Sequence, residues 1–79
     1  MKKRGYVLID ADKSQSSSVV IALSQKPGVL AADVVWGPHD VVAIVEADDI
    51  DKLMHLVQSD ISLIEGIAHI DTCLLVTGH

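Results

Sequence analysis

The sequence predicts an α+β domain whose elements follow the order β-α-β-β-α-β. Three observations carry that order. Two Val-rich runs, Val29 to Trp36 and Asp40 to Ala47, flank Gly37-Pro38, a pair that punctuates the backbone between β-branched segments. Behind Asp48-Asp49, the residues Ile50, Leu53, Met54, Val57 and Ile61 recur at helical intervals. Apolar runs near the two ends of the chain, Tyr6 to Ile9 and Ile67 to Thr77, read as strands. Two strand-helix-strand halves in one chain of 79 residues give the split βαβ, or ferredoxin-like, sandwich: an antiparallel sheet with both helices on one face.

Taken in order, the first strand Tyr6-Val7-Leu8-Ile9 is closed by Asp10-Ala11-Asp12-Lys13. Ser14 to Ser18 offer N-caps to a helix in which Val19, Val20 and Leu23 share a face. Pro27 disfavours helical geometry at Lys26, so the helix is expected to stop there and Gly28 to turn the chain. The second strand has Asp33 as its one charged member, and the third is dense in Val. Asp48, Asp49 and Asp51 suit the first turn of the second helix, where carboxylates cap N–H groups and meet the positive end of the dipole. Met54 falls in the apolar stripe of that helix and is expected in the core. Gly66 precedes the last strand, in which Ile70, Thr72, Leu74 and Val76 share one face and His69, Asp71, Cys73, Leu75 and Thr77 the other.

Residues 1–79 are expected to form one domain, with residues 1–4 as a short basic arm. A domain of this size buries only about 60% of the surface its unfolded chain exposes. The chain is 49% hydrophobic but 3% aromatic, so its core must be aliphatic. Tyr6 to Ile9, Val41 to Val45 and Leu74 to Val76 are apolar on both faces, without the alternation of an antiparallel sheet that has one face in water. A second subunit is therefore expected to cover the open face, most simply as a two-fold homodimer packing sheet on sheet in the manner of a dimeric α/β barrel.

The net charge of −5 argues against direct nucleic-acid binding, which draws its affinity from Lys and Arg on phosphates. Tyr6 to Ile9 is too short for a signal-peptide core, and no run approaches the ~18 apolar residues of a membrane span, so a cytoplasmic protein with no membrane partner is expected. The lone Cys73 allows no internal disulfide and is expected as buried filler. His39, His55, His69 and His79 show no ligand spacing, and neither a metal nor a cofactor is expected. Trp36 is expected in the core or an interface. Gly37 is expected to give its turn a conformation that other residues resist.

The succession of an apolar strand, Pro27-Gly28-Val29, a strand closing in Gly37-Pro38-His39-Asp40, the strand Val41 to Val45, an acidic-capped helix, and Gly66-Ile67 leading to Thr72 resembles the effector-binding (RAM) domain of the Lrp/AsnC transcriptional regulators. The resemblance spans about Tyr6 to Thr77, and its specificity lies in the order and spacing of anchors that are individually common. It implies a stand-alone RAM module without a DNA-binding domain. It also implies dimers that assemble into a ring-like oligomer, with a free amino acid bound between dimers, and full-length Lrp/AsnC regulators as further partners. Gly37, His39, Asp40, Asp71 and Thr72 would then line the ligand site. Backbone N–H groups of the turn suit a carboxylate and Asp40 suits an ammonium group. Pro38, which has no N–H, and Ile70, where the family often carries a hydroxyl, depart from the pattern.

Each of these residues also has a plainer role. Asp40 before a strand commonly binds nearby backbone, His39 at a turn is commonly solvated, and Thr72 and Asp71 suit a strand for structural reasons. No acid and base are paired at a spacing that suggests an enzyme. The main alternative is an interaction subunit that joins full-length regulators without a ligand of its own.

Overall fold

The computed structural model describes residues 2–12 and 14–76. Strand β1 (Lys3–Ala11) is followed by helix α1 (Ser16–Ser24), β2 (Val29–Val34), β3 (Val41–Ala47), α2 (Ile50–His55), a π-helical continuation (Leu56–Ile61) and β4 (Ile67–Leu74). The strands form one antiparallel sheet in the order β2-β3-β1-β4. This is the ferredoxin-like arrangement that the element order predicts.

Alternation along the two central strands decides where the core sits. Val7 and Ile9 of β1 and Val41, Ala43 and Val45 of β3 are fully buried, packed with Val19 and Leu23 of α1, Leu53 of α2, and Leu56, Val57 and Ile61 beyond it. Both helical layers thus cover the same face. The residues in between, Tyr6 and Leu8 on β1 and Val42 and Ile44 on β3, face the other way, with Tyr6 opposite Ile44 and Leu8 opposite Val42. Among the described residues nothing covers this face, and Tyr6 is 43% exposed.

The helix starts differ in mechanism. Asp49 caps α2 as expected, its Oδ1 accepting from the Lys52 N–H at 2.8 Å. At α1 the expected Ser caps are not used: Gln15 holds the cap position without a side-chain bond, and Ser18 donates to the Gln15 carbonyl at 2.9 Å. Past Ser24 the chain turns at Gly28, whose φ is +93°. A Cβ there would stand 2.9 Å from Leu56 Cδ2 and 3.0 Å from the Glu46 carbonyl oxygen. Gly28→Ala is accordingly expected to lower stability by about 1–3 kcal/mol, because the left-handed backbone disfavours any side chain and the carbonyl cannot move without breaking the strand pairing. Urea denaturation measures this, and an unchanged midpoint would contradict it.

Several expectations are corrected. The second helix does not run regularly to Ile61: the Ser62 N–H reaches the Val57 carbonyl, a step of five residues, and across this wide turn Leu56, Val57 and Ile61 all stay buried. Ile50 is exposed and Met54 only half-buried, so the apolar face of α2 is narrower than its periodicity suggested. β2 stops at Val34, and Trp36 is fully exposed rather than part of the core. β1 begins at Lys3, so Lys3 and Arg4 are strand residues and not an arm. Cys73 is exposed, because it lies opposite Tyr6 on the uncovered face. β4 stops at Leu74, short of the expected end at Thr77, and Thr77 and His79 lie outside the described residues. No described helix is long and apolar enough to cross a membrane.

Candidate functional site

The polar groups gather at one end of the sheet, where β1 ends, β2 turns into β3, and β4 begins. The pairing of β1 with β4 shifts register between Asp10 and Ala11. On the other side of β1 the ladder with β3 ends at Ile9 and Val41, so the Ala11 N–H, which points to that side, lies past the ladder and needs another acceptor. Asp40 supplies it: its Oδ2 accepts from the Ala11 N–H at 2.9 Å, while its own N–H donates to the Ile9 carbonyl at 2.9 Å. The Val35 N–H donates to the Asp40 carbonyl at 2.9 Å and closes the turn. Asp40 therefore pins the β2–β3 turn to the end of β1.

His39 stands next to it, with only 23% of its side chain exposed. Its Nδ1 lies 2.9 Å from Asp10 Oδ1 and its Nε2 4.0 Å from Asp71 Oδ2, the second distance too long for a hydrogen bond. Asp71 Oδ1 in turn lies 3.1 Å from His69 Nε2. Carboxylate and imidazole thus alternate through Asp10, His39, Asp71 and His69. His39 is not the freely solvated turn residue of the plainer account.

The five expected site residues do not converge as a set. His39, Asp40 and Asp71 come together at the turn. Thr72 lies opposite Val7 on the helix-covered side of the sheet, whereas Asp71 lies opposite Leu8 on the open side. Gly37 is in the turn, but its φ is not positive, and a Cβ there would meet nothing within 4 Å. The expected conformational reason for a glycine at 37 is therefore corrected; the positions that need one are Gly28 and Gly66. Asp10 and His69 join the site without having been singled out. Their signal was phase: Asp10 alternates with Tyr6 and Leu8, and His69 with Asp71, so all of them point to the open face.

Chemically, the turn offers both halves of a zwitterion site. No described hydrogen bond is donated by the backbone N–H of Trp36, Gly37 or His39, which leaves donors for a carboxylate. A carboxylate accepts at more than one place, so Asp40 keeps its Oδ1 for an ammonium group while Oδ2 holds Ala11. Among the described residues no group of three or more His, Cys, Asp and Glu side chains is arranged to hold a metal ion. A shallow cleft at the opposite end of the sheet, lined by Lys3, Arg4, Ile50, Leu74, Leu75 and Val76, contains no carboxylate or imidazole and lacks the acceptors of the turn.

The sheet and its one-sided helical cover define a ferredoxin-like domain with a cluster of polar side chains at one end of its strands. Residues 4–77 match the Lrp/AsnC ligand binding domain, and the chain belongs to that family. Among solved structures it is similar to TTHA0845 from Thermus thermophilus, with 27% identity, a TM-score of 0.91, and coverage of 98% of this chain and 96% of that one. It is also similar in fold to E. coli AsnC, with 19% identity, a TM-score of 0.88, and coverage of 96% of this chain and 52% of that one. A third likeness is to the transcriptional regulator NMB0573 from Neisseria meningitidis, solved as a complex with L-Met, with 13% identity, a TM-score of 0.84, and coverage of 95% and 50%. The chain thus spans nearly all of the first of these proteins and about half of the other two. Among curated proteins no sequence matches it.

Proposed function

We propose that this domain is an effector sensor that binds a free amino acid at the β2–β3 turn and passes the binding event to an assembly formed through its open sheet face. The turn itself is the observation that carries this: Asp40 and unbonded backbone N–H groups stand side by side, beside a half-buried His39 held between two carboxylates. In this proposal the turn at Gly37 and His39 takes the ligand carboxylate, Asp40 takes the ammonium group, and Asp71 faces the ligand side chain. Thr72 contributes through the strand rather than through its hydroxyl. The L-Met complex of the Neisseria protein supports an amino acid as the ligand class. The apolar, uncovered face of Tyr6, Leu8, Val42 and Ile44 supports a homodimer as the working unit, from which a ring can be built. No catalytic step is part of this role, and a cytoplasmic setting suits it.

A thermal-shift screen against the twenty amino acids tests the proposal. A ligand at a hundredfold excess over its Kd adds about 2.7 kcal/mol to apparent stability, a shift easily read for so small a domain. If none of the twenty raises the transition, the sensor role fails. The alternative then stands: a subunit that joins full-length regulators through contacts such as the fully exposed Trp36, with Val34 exposed beside it.

A further inference from the structure

Charges are sorted by sign along the strands. The described lysines and the arginine lie at the end where β1 begins: Arg4 Nε is 2.7 Å and Lys2 Nζ 3.8 Å from the Glu46 carboxylate, with Lys3 between them on the chain. Lys52 Nζ is 3.6 Å from Asp48 Oδ2, and Lys26 precedes the turn in which the Gly28 carbonyl accepts from the Glu46 N–H. Lys13, the sixth basic residue, lies outside the described residues. At the opposite end Asp10, Asp40 and Asp71 stand around the β2–β3 turn, and no described Lys or Arg pairs with them. Each of these carboxylates has one oxygen committed: Asp10 Oδ1 to His39 Nδ1 at 2.9 Å, Asp40 Oδ2 to the Ala11 N–H, and Asp71 Oδ1 to His69 Nε2 at 3.1 Å. Among the described residues the other oxygen of each accepts no hydrogen bond.

His39 sets where a further donor would fit. A neutral imidazole that donates from Nδ1 to Asp10 presents Nε2 as an acceptor, and that nitrogen faces Asp71 Oδ2 across 4.0 Å. Two acceptors at this distance make no hydrogen bond with each other. An ammonium group between them can donate to both, because it carries three N–H groups in tetrahedral directions. A methyl group in the same gap would take water from both acceptors and return no hydrogen bond. The charges of the main-chain groups of any free amino acid cancel, so a ligand with a neutral side chain leaves the negative charge at this end unopposed. A cationic side chain opposes it.

Resting on the amino-acid site proposed above, we infer that the effector is a basic amino acid whose side-chain ammonium bridges His39 Nε2 and Asp71 Oδ2 while its α-ammonium is held by Asp40. Lysine and ornithine carry such a group. Asp40 and the turn then recognise what all amino acids share, and His39 and Asp71 determine which one is chosen. Asp10 orients His39 by fixing its Nδ1 proton, which keeps Nε2 free for the ligand. The sorted charges also favour arrival, since a ligand with a net positive charge is drawn toward the carboxylate end of the domain.

Calorimetric titration of the wild-type protein with lysine and with 2-aminoheptanoic acid, which has a methyl group in place of the side-chain ammonium, tests this without any variant. Lysine is expected to bind about tenfold more tightly or better at low ionic strength, as charge-assisted hydrogen bonds to a half-exposed carboxylate allow. Asp71→Asn keeps the shape of the side chain and removes its charge. After a check of folding by circular dichroism, this variant is expected to lose most of the preference for lysine and to bind 2-aminoheptanoic acid nearly as the wild type does. Equal binding of the two ligands, a lysine preference that Asp71→Asn leaves unchanged, or tighter binding of a neutral or acidic member of the twenty amino acids would overturn the inference and leave the amino-acid site standing. No binding by any amino acid would overturn the site itself, and the inference with it.

Discussion

Asp40→Ala is expected to lower the free energy of unfolding by about 1–3 kcal/mol and to abolish any amino-acid-induced rise in melting temperature. The stability loss follows from the Ala11 N–H, which lies past the end of the β1–β3 ladder and has the Asp40 carboxylate as its acceptor. The loss of response follows from the second carboxylate oxygen, the proposed partner of the ligand ammonium. Asp40→Asn separates the two effects. Its amide oxygen still accepts from Ala11, so most of the stability returns, but the negative charge that pairs with an ammonium does not. Thermal melts of both variants with and without ligand provide the measurement. An Asp40→Asn protein that responds to ligand like the wild type would remove Asp40 from the site and leave it as a backbone clamp alone.

Leu53→Ala should have the larger effect on stability, about 2–5 kcal/mol, as for other fully buried leucines. Leu53 is completely buried and comes from the short helix α2, which it ties to β1: its Cδ2 lies 3.7 Å from where a Cβ on Gly5 would be. A cavity there has little chance to collapse, because the sheet below is fixed by strand pairing on both sides of β1. Stabilities of roughly 0.05–0.15 kcal/mol per residue leave a domain of this size little margin, so the variant is expected to be largely unfolded near 37 °C unless ligand or assembly holds it. Urea titration at fixed protein concentration checks this. A loss below about 1 kcal/mol would mean that the core repacks around the gap.

Much of the fold was legible because several local signals agreed. Pro27-Gly28 marked the turn that Gly28 makes at φ +93°, and Asp49 marked the start of α2 that it caps. What remained hidden depended on tertiary context. Cys73 sits in an apolar run, and composition cannot say which face of a strand is covered; it proved exposed. Gly66 was legible as the residue before the last strand, but not for its close packing: a Cβ there would lie 2.8 Å from Gln15 Cβ, a contact between segments about fifty residues apart in sequence. At the site, His39 and Asp40 were legible from the turn. Asp10 and His69 showed only their phase along a strand; the pairing of β1 with β4 is what sets them opposite each other beside the turn.

The five-residue step from Val57 to Ser62 has a consequence for chain length. Between these two residues the chain holds one residue more than an α-helical turn needs to make the same bond. Removing the exposed Gln58 would turn the Ser62–Val57 bond into an ordinary α-helical one, with Val57 and Ile61 still on either side of it. The domain thus keeps one residue of slack in the segment that closes its core. A variant with Gln58 deleted is expected to enclose the same core.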